Sequence, residues 1–115
     1  DKLMPPRAKA EALMAWANLL EKRNQTLKAT ACYERVYLAY GRQHDLTAQA
    51  YLARGRALEK LGKKREASEV YAELVATDSL KSFPEVEDAQ QRLKVIGPPP
   101  EPKMEAKPET REAKL

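Results

Sequence analysis

An all-α chain of stacked helical hairpins is the fold predicted, on three observations. Residues recur identically 38 positions later, among them Ala10/Ala48, Ala12/Ala50, Ala15/Ala53, Leu20/Leu58, Glu21/Glu59, Lys22/Lys60, Ala29/Ala67 and Tyr33/Tyr71. Apolar residues return at three- and four-residue spacing through most of the body, the period of a helix with one buried face. No stretch of useful length alternates apolar and polar residues as a half-buried strand would. A repeat of this size marks helical units that bury their faces on one another.

The first helix is expected over residues 7–23, with Leu13, Trp16, Ala17 and Leu20 on its inward face. Asn24-Gln25-Thr26 interrupts the pattern, because Asn tolerates a left-handed helix end and Thr26 offers a cap for the next start. A second helix follows over residues 27–40, turning Ala29, Cys32, Tyr33, Val36, Tyr37 and Tyr40 inward, with Gly41 as its terminator. Arg42 to Asp45 form a polar loop in which His44 is solvated, and Asp45 is the expected N-cap of a third helix over residues 46–61. Gly62 ends that helix. The fourth, over residues 65–77, buries Ala67, Val70, Tyr71, Leu74 and Val75. Ser82 and Glu85 have the spacing of a capping box around Pro84, and open a fifth helix that presents Val86, Ala89, Leu93 and Ile96. Gly97 and three prolines stop it. Residues 98–115 have almost no apolar side chains and alternate in charge, so they are read as an extended tail with some polyproline character, or as a strap lying against a groove or neighbour.

Composition narrows the function classes. At 115 residues there is room for one small domain or part of a repeat array. No window approaches the ~18–20 apolar residues that a membrane-spanning helix requires. The chain opens Asp-Lys-Leu-Met with no apolar leader, so it is read as processed or excised from something longer. A single cysteine, Cys32, excludes an internal disulfide and any multi-Cys metal site, and a single histidine, His44, excludes a His-pair metal site; no cofactor is implied. Cys32 reads as a small buried helix residue. Net charge is +4, but residues 98–115 carry four charges of each sign, so the whole imbalance lies in the body. Its one tight basic cluster, Lys63-Lys64-Arg65, falls in a turn without stacking aromatics, and no nucleic-acid partner is expected. No Gly-rich phosphate loop and no nucleophile with a base and an orienting group are found, so catalysis is not expected.

The repeated residues resemble the tetratricopeptide repeat, W-x2-L-G-x2-Y, then A-x3-F, then P, over about 34 residues. The second copy reads Tyr51-x2-Arg54-Gly55-x2-Leu58, then Gly62, then Ala67-x3-Tyr71, ending near Asp78-Ser79. The first reads Leu13-x2-Trp16-Ala17-x2-Leu20, then Asn24, then Ala29-x3-Tyr33, ending near Gly41. Arg54 stands where Leu is usual, the terminal Pro is missing from both copies, and the longer period places four extra residues at the Gly41–Asp45 loop. The resemblance implies an α-α superhelix of two hairpins and a cap: a lead-in at 1–9, repeats at 10–43 and 46–81, a capping helix at 82–97 and the tail. The second copy is also similar to repeats of bacterial cell-envelope proteins, including outer-membrane assembly lipoproteins and Tol-Pal-associated coordinators. Compartment stays open between cytoplasm and bacterial periplasm or cell envelope.

In the family that these residues resemble, the first helix of each hairpin lines a concave surface that holds a protein or peptide partner. Carried onto matching positions, the implied contacts are Glu11, Met14, Asn18, Glu21 and Lys22, then Gln49, Leu52, Arg56, Glu59 and Lys60. Some members clamp a C-terminal carboxylate; Asn18 matches one clamp position and Arg56 supplies charge, but Met14 stands where a partner Lys would be. Two functions remain: a peptide-binding adaptor, or an assembly module that stacks on further repeats or on a second copy. Apolar residues such as Leu3, Met4 and Met14 left in solvent would favour assembly.

Overall fold

The computed structural model describes residues 3–100, which form five α-helices and no strand. They are α1 (Pro6–Lys22), α2 (Thr26–Ala39), α3 (His44–Lys60), α4 (Lys64–Ala76) and α5 (Pro84–Ile96), with one 3-10 turn at Asp78–Leu80 before α5. Every helix packs on the next. α3 also touches α1 and α5, so the odd-numbered helices line one side and α2 and α4 the other. Residues 98–100 have no regular structure, and the rest of the expected tail lies outside the described residues.

The two hairpin turns are built alike. Asn24 and Gly62, equivalent under the repeat, both take positive φ, 63° and 77°. The amide after each closes the same bond: Gln25 N–H donates to the Leu20 carbonyl at 2.8 Å, and Lys63 N–H to the Leu58 carbonyl at 2.9 Å. A left-handed residue with such a bond satisfies the orphan carbonyls at a helix end. Pro6 and Pro84 open α1 and α5, where a missing N–H costs nothing.

Capping departs from expectation. Thr26 and His44 are the first residues of α2 and α3 rather than a cap and a loop residue, and Gln25 and Gln43 occupy the cap positions without a side-chain bond. Asp45 lies in the first turn of α3, where its carboxylate is taken by Arg7, at 3.0 Å from Nη1 and 2.8 Å from Nη2. Ser82 forms no capping box, because Pro84 sets the helix start and leaves Phe83 at the cap. α2 ends at Ala39 with Tyr40 as its cap, and Gly41 stays out of the left-handed region.

Tyr33 and Tyr71 are the largest fully buried side chains, with Ala29 and Ala67 equally buried beside them in sequence. Small residues make the space. A Cβ on Gly55 would stand 2.2 Å from the Tyr71 ring, so this position of α3 admits only glycine while the ring stays where it is. Ala17, fully buried, holds the equivalent position in α1. Around them Leu58, Leu74 and Val36 are almost wholly removed from water, each contributing about 1.5–3 kcal/mol of transfer free energy. Between α2 and α3, Tyr37 stacks on Tyr51 at 3.7 Å between ring centres, and Arg54 donates to the Tyr37 hydroxyl at 2.9 Å. Arg54 thus stands at a leucine position of the expected pattern because a buried phenol needs it there.

Trp16 does not join the core. It is 51% exposed, and Leu19 beside it is 37% exposed, because no helix precedes α1 among the described residues. Leu3 and Met4 are also exposed, whereas Met14 packs partly against the core. Val75, Cys32 and Tyr40 lie at the core margin rather than within it.

Candidate functional site

The exposed side of α1, α3 and α5 is organised by two glutamates near helix ends. Glu21, in the last turn of α1, accepts from the Tyr33 hydroxyl at 2.6 Å and from Lys60 Nζ of α3 at 2.8 Å. Glu59, at the same point of α3, accepts from the Tyr71 hydroxyl at 2.6 Å. Arg92 of α5 grips it through both Nε and Nη2. Each carboxylate therefore joins a core phenol of its own hairpin to a cation from the next odd-numbered helix. A charged acceptor makes such bonds shorter and stronger than neutral ones.

Burial, and then the carboxylate bond, push both phenols well above their ordinary value, since ionising them would place two negative charges side by side. The Arg92 guanidinium holds Glu59 below the usual carboxylate range. These glutamates thus have little capacity left for a partner. What remains free is mainly cationic or neutral. Lys22 makes no ion pair among the described residues, Gln49 is exposed, and Arg56 reaches Asp88 only at 3.8 Å with both more than half exposed. Such a pair is worth little and yields readily to a competing anion.

Two shallow hollows lie side by side on this surface. One, about 400 Å³, is lined by Asn18, Glu21, Lys22 and Lys60. The other, about 440 Å³, is lined by Arg56, Glu59, Lys60 and Arg92. Lys60 belongs to both. The structure so brings together six of the ten expected contact residues: Asn18, Glu21, Lys22, Arg56, Glu59 and Lys60. Glu11 lies apart, paired with Arg7 at 3.2 Å, and Gln49 and Met14 line neither hollow. Leu52 is a correction. It is 6% exposed and belongs to the core, because α3 is central and touches the other four helices, which leaves it a narrower free face than α1 has.

Arg92 was not foreseen. Its link to Glu59 spans 33 residues, whereas the corresponding Lys60–Glu21 link spans 39, so the cation does not stand at the register position of Lys60. Asn18 carries a structural duty as well, with its amide 2.9 Å from the Tyr33 hydroxyl. Among the described residues, no group of three or more His, Cys, Asp or Glu is placed to hold a metal, and no helix is long and apolar enough to cross a membrane. No protein-family model, curated protein or solved structure matches the chain.

Proposed function

We propose that the chain is a non-catalytic interaction module of the tetratricopeptide-repeat kind, two hairpins with α5 as cap, binding a peptide or protein segment along the α1–α3–α5 face. The carrying observation is the pair of adjoining hollows that meet at Lys60, lined by side chains fixed on rigid helices. The duplicated turns and the close contact of Gly55 with Tyr71 support the repeat reading. Because both glutamates are engaged within the protein, Lys22, Arg56 and the outer edges of Lys60 and Arg92 meet the partner, and an acidic or carboxylate-bearing segment suits them best. Binding needs no cofactor.

Selection of a displayed peptide library on the full chain, followed by amide shift mapping, tests this reading. Enriched peptides are expected to be acidic, to perturb the Asn18–Lys22 and Arg56–Lys60 amides, and to lose most of their affinity for the Lys22→Glu, Arg56→Glu double variant. Peptides that map to α2 and α4, or that bind the double variant unchanged, would remove the face from consideration.

The second reading, an assembly module, is favoured by a different observation: the exposure of Trp16 and Leu19 on the outer side of α1.

A further inference from the structure

We propose that the outer face of α1 is a docking site for an amphipathic helix with acidic flanks, supplied by a partner protein. The site is distinct from the α1–α3–α5 hollows and stands or falls independently of them.

The internal repeat identifies the kind of occupant. Ala12, Ala15, Trp16 and Leu19 of α1 are exposed. Their counterparts on α3 are Ala50, Ala53, Arg54 and Ala57, of which Ala50 and Ala57 are fully buried and the other two partly so. The two sets occupy the same register of the same unit. They differ in having a preceding helix or not: α2 packs along α3, and its Tyr37 and Glu34 reach Arg54. The face on α3 therefore takes a helix. On α1 the small residues are kept and two apolar anchors are added, which suits a helix packed at the usual 8–10 Å interaxial distance.

Charge identifies the flanks. Beside this face lies a hollow of about 270 Å³ that includes Trp16, Leu19 and Cys32, and its only charged lining groups are Arg23 and Lys28. Neither cation has an ion-pair partner among the described residues. Over α1 and α2 the three acidic groups are all engaged elsewhere: Glu11 with Arg7, Glu21 with Lys60 and Tyr33, Glu34 with Arg54. A second copy approaching through the same face would bring like charges together, whereas an acidic helix would neutralise Arg23 and Lys28.

Trp16 is the one tryptophan of the chain, so its emission reports the site directly. The probe is a synthetic helical peptide as long as α2, 14 residues, with a leucine stripe and glutamate flanks. It is compared with the same stripe flanked by lysine and with a scrambled peptide of identical composition. The acidic peptide is expected to shift Trp16 emission to shorter wavelength saturably, and the other two are not. In anisotropy with labelled peptide, Leu19→Glu and Arg23→Glu should each weaken binding about tenfold or more, as loss of an anchor does. Lys94→Glu, an equal charge reversal on α5, should leave it unchanged. Unaltered circular dichroism would show that the exposed substitutions keep the fold. Equal binding of the lysine or scrambled peptide, or insensitivity to Leu19→Glu, would overturn the proposal. So would a concentration-dependent emission shift without peptide, which would place a second copy on the face, or the absence of any shift at about millimolar peptide.

Discussion

The hairpin α1–α2 and the hairpin α3–α4 are built to one plan and placed in different surroundings. Both turn through a left-handed residue, both bury an alanine and a tyrosine on the second helix, and both tie that tyrosine to a glutamate on the first. Thr30 and Ser68 even make the same back-bond, to the carbonyls of Leu27 and Arg65. The second hairpin, however, is flanked on both sides and the first on one. Ala29/Ala67 and Tyr33/Tyr71, which agree between the copies, serve the inside of a hairpin. Trp16 and Arg54, which differ at the same register, record what lies next to it, whereas Ala17 against Gly55 is a difference inside the hairpin, where Gly55 faces the Tyr71 ring.

The largest expected effect tests that contrast in the core. Gly55→Ala drives a methyl group into the buried Tyr71 ring and should cost about 3 kcal/mol, the upper end for overpacking. Ala17→Gly leaves the corresponding contact of α1 loose and should cost about 1 kcal/mol, mostly backbone entropy. Urea denaturation of both variants measures the difference, and equal losses would mean that the two hairpins pack alike.

Next come the phenols. Tyr71→Phe and Tyr33→Phe each remove a bond to a carboxylate and should cost about 1.5–3 kcal/mol. The loss should be greater for Tyr71, whose glutamate is also gripped by Arg92. Both phenols have raised folded values, so their stabilising contribution is complete below about 10, the ordinary value, and is lost as pH climbs beyond it. Thermal scans should therefore show alkaline destabilisation above that pH, blunted in the double phenylalanine variant.

The turns provide a smaller contrast. Gly62→Ala forces a methyl into positive φ and should cost about 1 kcal/mol, whereas Asn24→Gly, which relieves the same constraint, should be neutral or slightly stabilising. Smallest is the Arg7–Asp45 pair between the two units. Arg7 holds Asp45 at about 2, so the pair contributes fully above about pH 4 and is lost as pH falls toward 2. Both groups are exposed, so Asp45→Asn should flatten this acid limb only slightly, and added salt should erase the difference.

Helix number and positions were legible in the sequence because apolar spacing reports which face of a helix is buried. The capping expectations failed where a tertiary partner outbid the local one, as Arg7 does for Asp45, or where a rigid residue set the start, as Pro84 does. Trp16 read as core because periodicity carries no information on whether a neighbouring helix exists to cover it. On the candidate face, the recurring Glu21 and Glu59 were visible as identities, but not their duty. A carboxylate twelve residues before a tyrosine looks like any surface charge until the hairpin folds back. Arg92 escaped because it meets Glu59 from a register other than the one from which Lys60 meets Glu21.

The Glu59–Arg92 clasp has a consequence for how the molecule comes apart. Terminal helices ordinarily fray alone, at little free-energy cost. Here, opening α5 strips the guanidinium from Glu59 and leaves a half-sheltered carboxylate that also anchors the Tyr71 hydroxyl, so damage at the end is felt in the middle. Hydrogen exchange in α5 and α4 should then fall into one cooperative unit, and Arg92→Met should split it into two.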